Sequence, residues 1–411
     1  MSMQETKTTF EWPLMKDCIT AQDRAAMVDF VKNADRFTNG PKVKKFEEEW
    51  SEWLGCKHSL FVSSGSTANL LLVASIMEKY GLKSGDKVLV PSMTWVTNIS
   101  PVIQLGLVPV FCDVDPNTYS FDLDHMKKLV EENCKYSYRD KYTDIRAVFV
   151  SHLFGIPADM DAYKEILPDA IFMEDVCESH GATYKGKKCG TLAAGSTFSF
   201  YFGHHMTTIE GGFVCTDDDE LYNIMKMKRS HGLAREATKD AYEQYKQQYP
   251  DIHPMFMFIT DGYNLRSMEL NAVLGSSQIK RLDQNNKIRV ENYHRFAEIV
   301  NQYPNLFREV SPQEGNSSFC LPFVCNSKDI KDQLEAFLQQ NRVETRPLCS
   351  GNLLRQPFLK EYANSLDLSK DFSIVEELHD KGFFIGNNHL ITEWDWVELK
   401  HILEQFDNEQ K

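Results

Sequence analysis

A chain of 411 residues, 42% of them hydrophobic, is long enough to bury a large core and predicts two main structural units. Its formal net charge of -14 argues against a nucleic-acid groove as the main business of the surface, because phosphate backbones are met by basic patches. The ten cysteines form no Cys-x-x-Cys pair and several stand in strand-like runs, so they read as reduced core thiols, with no metal or iron-sulfur ligand set among them.

From the N-terminus, Met1-Ser-Met-Gln-Glu-Thr-Lys7 is polar, carries no apolar leader, and no later apolar run reaches membrane-spanning length. A cytoplasmic protein without a membrane segment is expected. Ile19 to Val31 reads as a first helix with Thr20 as its cap, and after a turn at Phe37 to Pro41 the apolar positions Val43, Phe46, Trp50, Trp53 and Leu54 recur at helical spacing. Then strand-length apolar runs alternate with helical patterns: Ser59–Val62, Lys87–Val90, Val108–Phe111, Ala147–Val150 and Ala170–Met173. That alternation predicts an α/β fold with a mostly parallel sheet under helices, its site at the strand ends.

Three stretches in this half invite a ligand. Ser64-Gly65-Ser66-Thr67 lies between a strand and a helix start, where free amides, hydroxyls and the helix dipole suit a phosphate, although such turns are often plain caps. Trp95 sits in the turn-like Ser92-Met-Thr-Trp-Val-Thr97. Glu174-Asp175 closes an apolar strand, and a carboxylate buried there without a partner would cost several kcal/mol.

The segment Gly195 to Val214 alternates like a buried strand, then reaches Glu210-Gly211-Gly212 before a second apolar run. It resembles the cofactor segment of the DegT/DnrJ/EryC1/StrS sugar aminotransferases, in which Ser-Phe, three residues and a lysine precede Glu-Gly-Gly. Aligned on Glu210-Gly-Gly, the lysine position holds His204. A lysine there forms a Schiff base with pyridoxal phosphate and shuttles protons; an imidazole can do only the second job. With an ordinary pKa of about 6.5, roughly three quarters of a histidine is neutral at pH 7, so a base is available without tuning.

The resemblance implies a fold-type I pyridoxal-phosphate aminotransferase architecture: an arm and helix over 1–35, a large αβα domain over 36–300 and a small α+β domain over 301–411. It places the phosphate at Gly65, Ser66 and Ser199, the pyridine nitrogen at Asp175, the ring face at Trp95 and the ring hydroxyl near Glu178, where the family usually has glutamine. Asn264, in Gly262-Tyr-Asn-Leu-Arg266, matches the asparagine that reaches the neighbouring subunit's phosphate, which implies a homodimer with shared sites. Arg266 would brace that loop.

After Arg235 a polar, tyrosine-rich insertion runs to Pro254, and Gly262 opens a long helical stretch through about Ala297. Phe319–Val324 reads as a strand, Ile330 to Gln340 as a helix, and a terminal helix starts near Trp394. Three later or flanking motifs, His204-His205 with Thr208-Ile-Glu-Gly-Gly212, Glu344-Thr-Arg-Pro347 with Gly351-Asn352, and Gly382-Phe-Phe-Ile-Gly-Asn-Asn388, are similar to the branch of the family that removes the C3 hydroxyl of GDP-4-keto-6-deoxy-D-mannose in lipopolysaccharide O-antigen dideoxysugar biosynthesis. That branch uses pyridoxamine phosphate regenerated from L-glutamate, and it releases ammonia. His204 is then the catalytic base, His231 a candidate to assist the leaving hydroxyl, and Arg346 a candidate for the diphosphate or a carboxylate. The alternatives are an ordinary nucleotide-sugar aminotransferase that recruits another lysine, from the Lys185, Lys187 and Lys188 cluster, and a non-catalytic binding protein of the same fold.

Overall fold

The computed structural model describes residues 10–136, 141–364 and 366–411. Met1 to Lys7, on which the absence of a leader was read, lies outside them. Helix α1 (Ala21–Asn33) starts at Thr20, whose side chain accepts the Asp23 N–H while the Asp23 carboxylate accepts the Thr20 N–H, a capping box that satisfies two otherwise orphaned amides. Helix α2 (Pro41–Leu54) begins with proline in its first turn and ends at Gly55, whose φ of 86° is the left-handed conformation that glycine adopts without strain.

The large sheet has seven strands: β1 (His58–Val62), β2 (Lys87–Pro91), β3 (Val108–Cys112), β4 (Ile145–Ser151), β5 (Ile171–Asp175), β6 (Gly195–Ser199) and β7 (Gly212–Thr216). Their spatial order is β1-β7-β6-β5-β4-β2-β3. The four junctions from β6 across to β3 are parallel, and β7 runs antiparallel to both β1 and β6. Successive residues feed opposite faces: Leu60, Val62, Val88, Val90, Ala147 and Phe149 join one apolar cluster, whereas Phe61 joins a second and Leu89, Val148 and Val150 a third. Burial on both faces explains why these strands read as unbroken apolar runs. Helices α3 (Gly65–Tyr80) and α4 (Asp219–Arg229) cover the first face, and α2 with the start of α5 (Glu269–Gln278) covers the second.

One expectation needs correction here. The stretch from Gly262 does not begin a helix: Asn264 and Arg266 bridge to Ser230 and Val62 in extended backbone, α5 starts at Glu269, and a 3-10 turn at Ile279–Arg281 separates it from α6 (Leu282–Val300). The physical reason is contact, since a Cβ on Gly262 would stand 2.3 Å from the Gly232 nitrogen, a packing no local pattern announces. Within the polar insertion Lys239–Gln248 is helical with no buried residue.

A second sheet of three antiparallel strands, β8 (Cys320–Val324), β9 (Thr345–Pro347) and β10 (Gly382–Gly386), has β10 in its centre. Helices α7 (Lys328–Gln340), α8 (Ser373–Lys381) and α9 (Glu393–Glu409) follow in chain order around it, and Phe323, Leu334, Phe383, Ile385, Leu399 and Leu403 fill a core of its own. Strands β9 and β10 were not foreseen, being three and five residues long without alternation. Buried Asp113, just past β3, accepts the Ile374 and Val375 amides at 3.0 and 2.9 Å and so fastens the first turn of α8 to the large sheet. Among the described residues no helix is long and apolar enough to cross a membrane.

Candidate active site

At the ends of β4, β5 and β6 a cavity of about 550 Å³ is lined by Gly65, Ser66, Trp95, Asp175, Glu178, Ser199, His204 and Arg346 among others. Eight of the ten singled-out residues thus converge, although they are spread over most of the chain. One wall is the first turn of α3. Ser64 caps it by accepting the Thr67 N–H (3.1 Å), which leaves the Gly65 and Ser66 end facing the cavity. A Cβ on Gly65 would stand 2.5 Å from the Ser199 Cβ, so only glycine lets the helix start and the end of β6 approach this closely.

Asp175 is buried at the end of β5, and Asn69 Nδ2 and the Cys177 N–H both donate to it at 2.9 Å. The carboxylate thus has partners within the chain as well, and Asn69, itself held by a 2.6 Å donation from Thr197 Oγ1, orients it. The only sign of that role in the sequence is an asparagine among the apolar residues of α3. Neighbouring Glu174 faces away, accepting the Gly190 and Leu192 amides and meeting His152 Nε2 at 3.1 Å. The Ala158 N–H donates to His152 Nδ1, so that ring is the Nε2–H tautomer and both its nitrogens are engaged.

Glu178 accepts the Phe154 N–H (3.2 Å), and its carboxyl is pushed up to about 7, chiefly by burial and further by the Asp175 charge. A folded-state pKa above the ordinary value means that the fold favours the neutral acid. Its contribution is complete below about 4.5 and is lost as pH rises through about 7. Glu178→Gln is expected to flatten the unfolding free energy between pH 5 and 8 by about 1 to 2 kcal/mol after allowance for solvent in the cavity, measured by urea denaturation at each pH.

His204 sits in the loop between β6 and β7. That loop is tied down on both sides: Asn271 Nδ2 of α5 donates to the Thr208 and Glu210 carbonyls at 2.6 and 2.8 Å, and Gln278 Oε1 accepts the Thr207 N–H at 3.0 Å. The imidazole packs 5.6 Å from the Phe319 ring, and its Nδ1 is buried without a hydrogen-bond partner. Burial, helped by the Arg289 charge, pushes its pKa down to about 3. The ordinary value expected from sequence is thus corrected, because the half-buried ring is partly withdrawn from water and feels a cationic neighbour. Arg289, on α6 and 1% exposed, donates to the Phe319 carbonyl at 3.2 Å and to the Asn387 carbonyl. No carboxylate lies within ion-pair distance of it among the described residues. His205 turns away from the cavity toward the Ser317 carbonyl (3.2 Å).

His231 and Asn264 do not line this cavity. Both are exposed: Asn264 bridges to Ser230 in extended backbone, and His231 stands in the adjoining turn at φ 65° with its N–H donating to the Tyr263 carbonyl. Within one chain His231 therefore cannot assist a reacting group in the cavity. Arg266 Nε braces the loop by donating to Asn264 Oδ1 at 3.1 Å. Arg346 lines the mouth, where Nη1 donates to the Thr345 carbonyl. Among the described residues no lysine lines the cavity. Lys185 pairs with Asp161, and Lys188 lies 4.0 Å over the Trp53 ring, on a hairpin of Thr183–Tyr184 and Lys187–Lys188.

The lining fits a phosphorylated pyridine. Neutral donors and a helix start stand at one end, a buried carboxylate across from them, and an indole 55% exposed at the mouth. Comparison with known proteins agrees. The model of the DegT/DnrJ/EryC1/StrS aminotransferase family matches residues 18–395. The GDP-4-keto-6-deoxy-D-mannose 3-dehydratase of Yersinia pseudotuberculosis is 34% identical over 91% of this chain and 93% of its own. The structure of the E. coli GDP-4-keto-6-deoxy-D-mannose 3-dehydratase with bound hydrated PLP superposes with a TM-score of 0.83 at 29% identity, covering 96% of this chain and all of that one. A structure of GDP-4-keto-6-deoxymannose 3-dehydratase with a trapped PLP-glutamate geminal diamine superposes with a TM-score of 0.82 at 30% identity over the same shares.

Proposed function

Because the chain belongs to the DegT/DnrJ/EryC1/StrS aminotransferase family, we propose that it is a pyridoxal/pyridoxamine-phosphate-dependent sugar 3-dehydratase, acting on a nucleotide-linked 4-keto-6-deoxy sugar with L-glutamate as amino donor. The observation that carries this reading is His204, a neutral imidazole facing the cavity in the loop before Glu210-Gly-Gly, with no lysine in the lining among the described residues. GDP-4-keto-6-deoxy-D-mannose is the substrate to try first.

In this reading Gly65, Ser66 and Ser199 hold the phosphate, Asp175 the pyridine nitrogen, Trp95 one ring face and Glu178 the ring hydroxyl. The bound cofactor supplies an amine for the sugar ketone and a sink for electrons. His204 moves a proton at the carbon next to the ring, so that the C3 hydroxyl leaves as water. Arg346 offers a planar cation for a diphosphate or a carboxylate at the mouth. We place the protein in the cytoplasm as a homodimer. Exposed Asn264 and His231 would then serve the neighbouring copy's cavity, Asn264 at its phosphate and His231 near the leaving hydroxyl.

The test is incubation of the cofactor-loaded protein with glutamate and GDP-, CDP-, UDP- and dTDP-linked 4-keto-6-deoxy sugars. One ammonia released per sugar consumed is expected. An aminated sugar as end product would make it an aminotransferase, and the absence of turnover a binding protein.

A further inference from the structure

Away from the cavity, where α2 ends beside β1 and β7, two thiols and two hydroxyls meet. Cys56 directly follows the left-handed Gly55 and is partly exposed, while Cys215 lies on β7 opposite Ser59 of β1 and is wholly buried. Ser59 Oγ stands 3.4 Å from Cys56 Sγ and accepts from Cys215 Sγ at 3.3 Å, so one hydroxyl bridges the two thiols. Ser51 Oγ closes the group, 2.8 Å from Ser59 Oγ and 4.0 Å from Cys56 Sγ.

The two sulfurs are not equivalent. The partly exposed Cys56 thiol donates to the His58 carbonyl at 3.5 Å, and its neighbours, the Cys215 thiol first and then the Ser59 and Ser51 hydroxyls, hold it below the ordinary thiol value despite burial. Cys215 is pushed well above that value, by burial and by its neighbour. An accessible thiolate-prone cysteine beside a buried thiol is the arrangement in which oxidation proceeds to a disulfide instead of stopping at the first sulfur.

We propose that Cys56 and Cys215 form a peroxide-responsive dithiol, in which Cys56 is the reacting sulfur and Cys215 resolves it into an intramolecular disulfide. The Cys56 thiolate attacks one oxygen of hydrogen peroxide; an S–O bond forms, the O–O bond breaks, and hydroxide leaves and takes up a proton as water. Cys215 sulfur then attacks the Cys56 sulfenic acid; the S–S bond forms, the S–O bond breaks, and the departing hydroxyl leaves with the Cys215 proton as a second water. Two thiols lose two electrons in total, and one peroxide accepts them. The new bond ties the end of α2 to β7, the strand that leaves the Glu210-Gly-Gly turn. Cys177 and Cys349, which line the cavity, are pushed well above the ordinary thiol value by burial and serve as unreactive internal controls.

The test uses the full-length, cofactor-loaded protein, exposed at pH 7 to one equivalent of hydrogen peroxide with and without dimedone and mapped by peptide mass spectrometry. A Cys56–Cys215 linked peptide, lighter by two hydrogens and released by dithiothreitol, is expected. In Cys215→Ser, dimedone should capture Cys56 instead. Alkylation of Cys56 in the reduced wild-type protein should run several-fold, up to roughly tenfold, faster than at an ordinary thiol. A dimedone adduct on wild-type Cys56 with no linked peptide would overturn the resolving role. Oxidation elsewhere with both cysteines left free would overturn the proposal whole. The wild-type map alone decides if the serine variant does not fold.

Discussion

Replacing His204 with asparagine is expected to lower the rate of sugar dehydration by about 10² to 10⁴-fold while leaving the absorption spectrum and retention of the bound cofactor nearly unchanged. Neither His152 nor His205 is placed to take over. His152 has its Nδ1 filled by the Ala158 amide and its Nε2 turned to Glu174, and His205 faces the Ser317 carbonyl. Stopped-flow measurement of the dehydration step separates loss of a base from loss of binding, because only the former lowers the rate constant at saturating substrate. His204→Lys should differ in kind, restoring a Schiff-base absorption band and abolishing dehydration. An unchanged spectrum in that variant would put the base elsewhere.

The second large effect is expected at Asp175. Charge-assisted hydrogen bonds contribute about 1.5 to 3 kcal/mol, so Asp175→Ala should weaken pyridoxamine-phosphate binding by about 10 to 100-fold in a fluorescence titration. Without a covalent tether, that loss appears directly as dissociation. Asp175→Asn keeps the shape but removes the charge, and should lose nearly as much. If both variants held the cofactor as tightly as the natural protein, Asp175 would be only the partner of Asn69 and the Cys177 amide.

Much of the site was legible because its residues sit where local chemistry is readable: a capped helix start at Ser64-Gly65, a carboxylate closing an apolar strand at Asp175, and a Glu-Gly-Gly turn after His204. The strands of the large sheet were equally plain, since burial on both faces leaves unbroken apolar runs. What could not be read depends on contacts distant in sequence. Asn271 and Gln278 look like ordinary polar positions of a helix, yet they hold the His204 loop from more than sixty residues away. Asn69 gave only the weak sign of an amide inside an apolar helix. Gly262 to Arg266 was misread as a helix opening because its extended form comes from packing on the Ser230 to Gly232 turn. The proton affinity of His204 was misjudged for the same reason, since Phe319 and Arg289 reach it from other parts of the chain.

Arg289 gives the loop a property that its histidine alone would not have. Added to burial, its positive charge makes a proton placed on the imidazole an unwelcome lodger. Negative charge carried into the cavity by a phosphate acts in the opposite sense and raises that affinity toward the working range. Loading the coenzyme would then also arm the base, so that the chain without it is spared idle proton traffic.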